Sequence, residues 1–143
     1  MDIAEAFDRM PFNDLLGIEL LSAGDGRAVG ELELSPEHSS APDRLIAHGG
    51  VTYALADTVG GAAAISVNGN VTPTIDMRID YLAPATGGVL RAEANVVRNG
   101  NSVASVVVEI TDGDGEEIAT ARGVYKSGGP DGESAWTDGG GPA

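Results

Sequence analysis

The chain of 143 residues contains no cysteine, which leaves no disulfide framework, no thiolate metal site and no cysteine nucleophile. Histidine is scarce: His38 and His48 stand ten residues apart, in no zinc-like spacing. Lysine is scarcer still, with Lys126 alone beside seven arginines, against 22 acidic residues. A net charge of −14 repels nucleic-acid backbones and anionic membranes, so neither is expected as a partner. The lack of lysine under so acidic a balance reads as adaptation to high salt, where self-repulsion is screened. No uninterrupted apolar run approaches the ~20 residues that span a bilayer. The opening, MDIAEAFDRMPFNDLLG, is acidic and amphipathic, unlike a secretory signal, and a cytoplasmic protein is expected.

What the chain does have is alternation. Asp2 to Arg9 predicts a short helix with Ile3, Ala6 and Phe7 on one face. Leu15 to Leu21 and Arg27 to Leu34 read as strands joined by Ala23-Gly24-Asp25-Gly26, and Pro36 to Ile46 reads as an irregular loop. A helix rich in alanine and glycine follows from Gly49 to about Ser66. Four further strands are predicted at Thr74–Leu82, Val89–Arg98, Ser102–Thr111 and Glu116–Lys126, with turns short enough for antiparallel hairpins. Ile75, Met77, Ile79 and Tyr81 oppose Thr74, Asp76, Arg78 and Asp80, so one sheet face packs and the other is polar. Residues 128–143, rich in glycine with one Trp136, read as a disordered acidic tail after a single domain over 1–127.

The order β-β-α-β-β-β-β gives one long helix and six strands, an α+β arrangement in which a curved antiparallel sheet must wrap the helix. Small residues on both sides, Ala62 to Ala64 on the helix and Ala119, Ala121 and Gly123 on the last strand, allow close approach. That closeness offsets the ~1 kcal/mol that Gly60 and Gly61 each cost a helix interior.

Chemistry concentrates in His48-Gly49-Gly50-Val51-Thr52-Tyr53-Ala54-Leu55-Ala56-Asp57. From Gly49 to Ser66 the only charged side chain is Asp57, and a lone carboxylate on an apolar helix is expensive unless it is paired or functional. Its structural alternative is an ion pair with Arg78 or Arg122. Gly49 and Gly50 open the helix, where unpartnered amides and the positive dipole end suit an oxyanion. The eight residues between Gly49 and Asp57 span ~12 Å of axis. One reacting carbonyl must lie about 3 Å from both groups, so a joint site needs two subunits.

These segments, with Thr74-Ile75-Asp76-Met77-Arg78-Ile79-Asp80-Tyr81-Leu82-Ala83-Pro84-Ala85, resemble the hotdog-fold acyl-CoA thioesterases of the phenylacetic-acid-degradation type over roughly Leu15 to Lys126. The resemblance implies hydrolysis of an acyl- or aryl-CoA thioester without a cofactor, by a homodimer, usually paired into a dimer of dimers, with sites shared between protomers. It implies that the Gly49 amide polarises the thioester carbonyl and that Asp57 is general base or nucleophile. Thr74 would orient water or the carboxylate, unless it is simply a β-branched strand residue, and His48 would orient the loop.

Gly50, Arg98 and Asn101 fall to substrate binding, Arg98 as a phosphate contact. Pro42 stands where relatives often carry Asn or Gln, with Ser40 or Asp43 the substitutes at hand. That departure leaves a non-catalytic acyl-CoA-binding module as the alternative.

Overall fold

The computed structural model describes residues 2–127; the tail proposed for 128–143, Trp136 included, lies outside them. The elements run α1 (Ile3–Asp8), α2 (Pro11–Leu16), β1 (Ile18–Gly24), β2 (Arg27–Glu33), a 3-10 turn (Pro36–His38), α3 (Gly49–Asn68), β3 (Thr74–Tyr81), β4 (Val89–Asn99), β5 (Val103–Thr111) and β6 (Glu117–Lys126). They form one antiparallel six-stranded sheet, ordered β1-β2-β4-β5-β6-β3, wrapped around α3. This is the hotdog architecture.

Local chemistry sets the elements. Asp25 and Gly26, both at positive φ (53° and 81°), make the two-residue turn whose twist matches the β1–β2 hairpin. The Gly26 amide donates to Ser66 Oγ at 2.8 Å, tying that turn to the far end of α3. The helix starts at His48, whose ring accepts from an amide of the first turn, and stops at Gly69 in the left-handed region (φ 74°). Leu55, Ala56, Val59 and Ala62 to Ala64 are all fully buried, as are Ala104, Val106, Val108 and Ile110 on β5.

Glycine makes the closeness possible. A Cβ on Gly60 would lie 2.4 Å from the Tyr125 hydroxyl, and one on Gly30 would lie 2.6 Å from Val59. Taken alone, α3 has the length and composition of a membrane span, a correction to the expectation that no segment does; here it is the core helix, mostly buried.

Three further expectations are corrected. Leu15 and Leu16 belong to α2, because Pro11 opens a helical turn and Gly17 closes it at φ 82°. The turn after β3 closes no hairpin: β3 pairs with β6 and β4 with β2, so Leu82–Gly88 carries the chain from one part of the sheet to another. The strict alternation in β3 breaks at a bulge between Thr74 and Asp76. Met77 stays buried while Ile75 is 55% exposed, on the free edge of the sheet.

Candidate active site

Asp57 sits halfway along α3, half-buried, and is reached by two hydroxyls. Thr74 Oγ1 donates to its Oδ1 at 2.6 Å. The Tyr125 hydroxyl lies 3.1 Å from the same oxygen and 2.8 Å from the Asp57 backbone carbonyl. Thr74 and Tyr125 are cross-strand partners on β3 and β6, so the pairing register itself brings both to the carboxylate. In a regular strand with Met77 facing inward, Thr74 would face outward. The bulge at Ile75 turns it towards the helix, a use of bulges common beside active sites. Oδ2 has no hydrogen-bond partner among the described residues and is open to a water or a substrate atom.

No arginine pairs with Asp57. Arg78 bonds Asp80 at 3.3 Å on the exposed outer face, and Arg122 stands opposite Arg78 on β6, which disposes of the structural ion pair. Tyr125, 1% exposed, has its hydroxyl pKa pushed far above the ordinary tyrosine value, by burial first and then by the charge of Asp57. It therefore remains a proton donor throughout the ordinary pH range. The Tyr53 hydroxyl is also raised, by burial and then by Asp57 and Asp76, and donates to the Met77 carbonyl at 3.0 Å.

At the other end of α3, His48 Nδ1 accepts from the Gly50 amide at 2.8 Å. That bond consumes the Gly50 N–H. The Gly49 N–H has no acceptor among the described residues. Tyr81 fixes this end, its hydroxyl donating to the Gly49 carbonyl at 2.7 Å. A Cβ on Gly49 would meet that hydroxyl at 3.0 Å, so a larger residue there requires the exposed Tyr81 side chain to give way by a few tenths of an ångström.

Two pockets adjoin α3, one at its N-terminal end and one along its second half. One of about 400 Å³ includes Gly49, Thr52, Tyr81 and Pro84; the other, of about 350 Å³, includes Asp57, Thr74 and Tyr125 and is otherwise mostly apolar. The two share no lining residue. Within one protomer, then, Asp57 and Thr74 come together, and Gly49, Gly50 and His48 do not join them.

Arg98 and Asn101 are both exposed at the β4–β5 hairpin tip. Adjacent Asn99 lines up through Ala104 and Tyr125 with Thr74, three strands away, roughly 14 Å at ordinary strand spacing. In the loop before the helix, Pro42 and Asp43 are exposed and Ser40 Oγ is spent on the Ile46 carbonyl at 3.2 Å. Sequence reasoning missed Tyr125 and Tyr81 as site residues. Both fall in strand alternation, where an aromatic reads as packing, and only the register reveals what their hydroxyls reach.

A profile of the thioesterase superfamily matches residues 46–119, the stretch from the helix-opening loop through most of the sheet. Human acyl-coenzyme A thioesterase 13 is 33% identical over 115 residues, covering 78% of this chain and 81% of its own. The medium/long-chain acyl-CoA thioesterase YigI of Salmonella typhimurium is 31% identical over 136 residues, covering 83% and 86%. Among solved structures, a mutant form of the phenylacetic acid degradation protein PaaI from Thermus thermophilus superposes with a TM-score of 0.74 at 29% identity, covering 82% and 99%. The fold and these similarities define the class of a hotdog thioester hydrolase. The chain belongs to the thioesterase superfamily.

Proposed function

We propose that the protein hydrolyses an acyl- or aryl-CoA thioester to the free acid and CoA, at sites shared between the protomers of a homodimer that pairs further into a dimer of dimers. The observation that carries this is Asp57 itself: Oδ1 is held by Thr74 and Tyr125, Oδ2 is open, and an apolar pocket adjoins it. The Gly49 N–H, at the positive end of α3, receives the thioester carbonyl oxygen as it gains charge. A water on Oδ2 attacks the carbonyl carbon while Asp57 takes its proton. The tetrahedral intermediate collapses, the C–S bond breaks, and the proton passes to the CoA thiolate. In the alternative course Asp57 attacks directly and water then hydrolyses the mixed anhydride; the same residues serve both. Arg98 and Asn101 lie where an extended CoA could reach them.

The two-chain site is supported by β3, one of the two edge strands of the sheet, which exposes Ile75 and Tyr81, with exposed Leu82 just past its end. An apolar free edge is a pairing surface. Pairing β3 antiparallel with its own copy about a two-fold axis near its middle brings the Thr74 end of one strand beside the Tyr81 end of the other. Since Thr74 holds Asp57 and Tyr81 holds Gly49, the two half-sites meet across the interface.

The test is thiol release from a panel of CoA thioesters, read with a thiol reagent to which this cysteine-free chain adds no background. Asp57→Asn is expected to lower turnover by at least ~10²-fold, the low end for losing a general base, while CoA-ester binding and folding persist. Turnover unchanged within a few-fold rejects the mechanism, and binding without turnover in the wild type marks a binding module.

A further inference from the structure

The apolar pocket beside Asp57 is closed by a part of the chain that the family profile does not reach. Ala6, Phe7 and Met10, from α1 and the corner into α2, face Gly61, Ile65 and Val71 across it. Residues 46–119 contain the last three and none of the first three.

This corner is built. Asn13 is 3% exposed, and its Nδ2 donates to the Phe7 carbonyl at 3.0 Å and lies 3.4 Å from Met10 Sδ. A buried amide costs free energy unless it is bonded. Here the bonds go to the backbone carbonyl of Phe7 and to the sulfur of Met10, the two residues that this corner gives to the pocket wall. A second buried polar group holds the other end of α2: His38 Nε2 donates to the Leu16 carbonyl at 2.8 Å while its Nδ1 accepts from the Ser35 amide at 3.1 Å. Neither Asn13 nor His38 has a part in the hydrolysis described above. Asn13 braces the backbone that carries Phe7 and Met10, and His38 anchors the far end of α2.

We infer that the α1–α2 corner, with Phe7 and Met10 as its end wall, is the acyl-selecting device of the enzyme, and that it admits an uncharged apolar acyl group of medium length. The inference rests on the thioesterase reading and goes on to the substrate class. The wall offers no cation and Asp57 is anionic, so an acyl chain with a terminal carboxylate is disfavoured. An acetyl group leaves the apolar wall untouched and forgoes its burial. A chain long enough to reach Phe7 gains contact, and a longer one meets a wall whose backbone Asn13 braces.

The test compares the wild type with Phe7→Ala and with Met10→Trp, the latter at a position 41% exposed and so tolerant of bulk. Two readouts are taken: kcat/KM across straight-chain acyl-CoAs from two to sixteen carbons, with glutaryl-CoA added, and affinity for S-alkyl-CoA thioethers of the same lengths, which need no turnover. The wild type is expected to peak at medium length and to reject glutaryl-CoA. Phe7→Ala should raise the long-to-medium preference, and Met10→Trp the short-to-medium preference, each by at least about tenfold, the scale of a methylene or more in a fitted pocket. A length profile unmoved in both readouts for Met10→Trp overturns the inference, even if Phe7→Ala proves unfolded. Thioethers that bind with the predicted length shifts in a chain without hydrolysis would sustain it while sinking the catalytic reading. No binding at any length would sink both.

Discussion

Tyr125 reaches Asp57 twice, its hydroxyl lying 2.8 Å from the backbone carbonyl and 3.1 Å from Oδ1 of the same residue. The phenol is nearly inaccessible and stays protonated, so it fixes where the carboxylate points without competing for its proton. Tyr125→Phe removes one donor and leaves the ring in place. With a net hydrogen bond worth roughly 1–1.5 kcal/mol, kcat is expected to fall about tenfold. KM should change less than kcat, because the ring that lines the pocket is kept. Steady-state kinetics decide it: an unchanged kcat leaves Thr74 as the sole support of the carboxylate.

The same hydroxyl explains the glycine beneath it. Gly60→Ala gains up to ~1 kcal/mol of helix propensity. It also puts a methyl 2.4 Å from the Tyr125 oxygen, an overlap of the kind that costs ~1–3 kcal/mol. Overpacking wins, and the variant should be destabilised by denaturant titration. In a Tyr125→Phe background the nearest remaining contact is a ring carbon at 3.3 Å, and Gly60→Ala should approach neutrality. Equal costs in both backgrounds would show that the clash is relieved elsewhere.

Most of this architecture was legible in the residues. The strands and α3 announce themselves by alternation and by turn residues, and Asp57 by being the one charge on an apolar helix. What was hidden is whatever depends on register. Thr74 was expected on the polar face of β3 and yet beside the carboxylate, and only the bulge at Ile75 reconciles the two. Pro84 and the paired Gly87-Gly88 look like a hairpin turn, but a strand's partner is decided by the whole sheet, and β3 goes to β6. The helix α2 carried a readable signal, Pro11 inside its start and Gly17 past its end. The apolar pattern of Leu15 to Leu21 masked it.

Among the described residues only two ion pairs form, Arg27 with Glu93 and Arg78 with Asp80, and both are exposed. Such pairs are worth little, so their screening costs little. The repulsion of a −14 chain is the larger quantity, and salt removes it as the screening length falls from about 10 Å at 0.1 M to about 3 Å at 1 M. The melting temperature should therefore rise between dilute and molar KCl. A flat or falling curve would detach the acidic composition from any adaptation to salt.

The proposed shared site has a test that no single-chain site can pass. Asp57→Asn disables one half-site. Gly49→Pro disables the other by deleting the N–H, at the first helical position where proline is best tolerated, with the exposed Tyr81 side chain as its near neighbour. Each homodimer should be nearly inactive. In a heterodimer of the two, one site keeps both defects and the other takes Asp57 from one chain and Gly49 from its partner, free of both. Random mixing puts about half the dimers in this state, so activity should recover to about a quarter of the wild-type value. Circular dichroism and light scattering on each variant establish that both fold and pair before mixing. Subunits that exchange, shown by a mass tag on one of them, and yet recover no activity would place Gly49 and Asp57 in separate reactions.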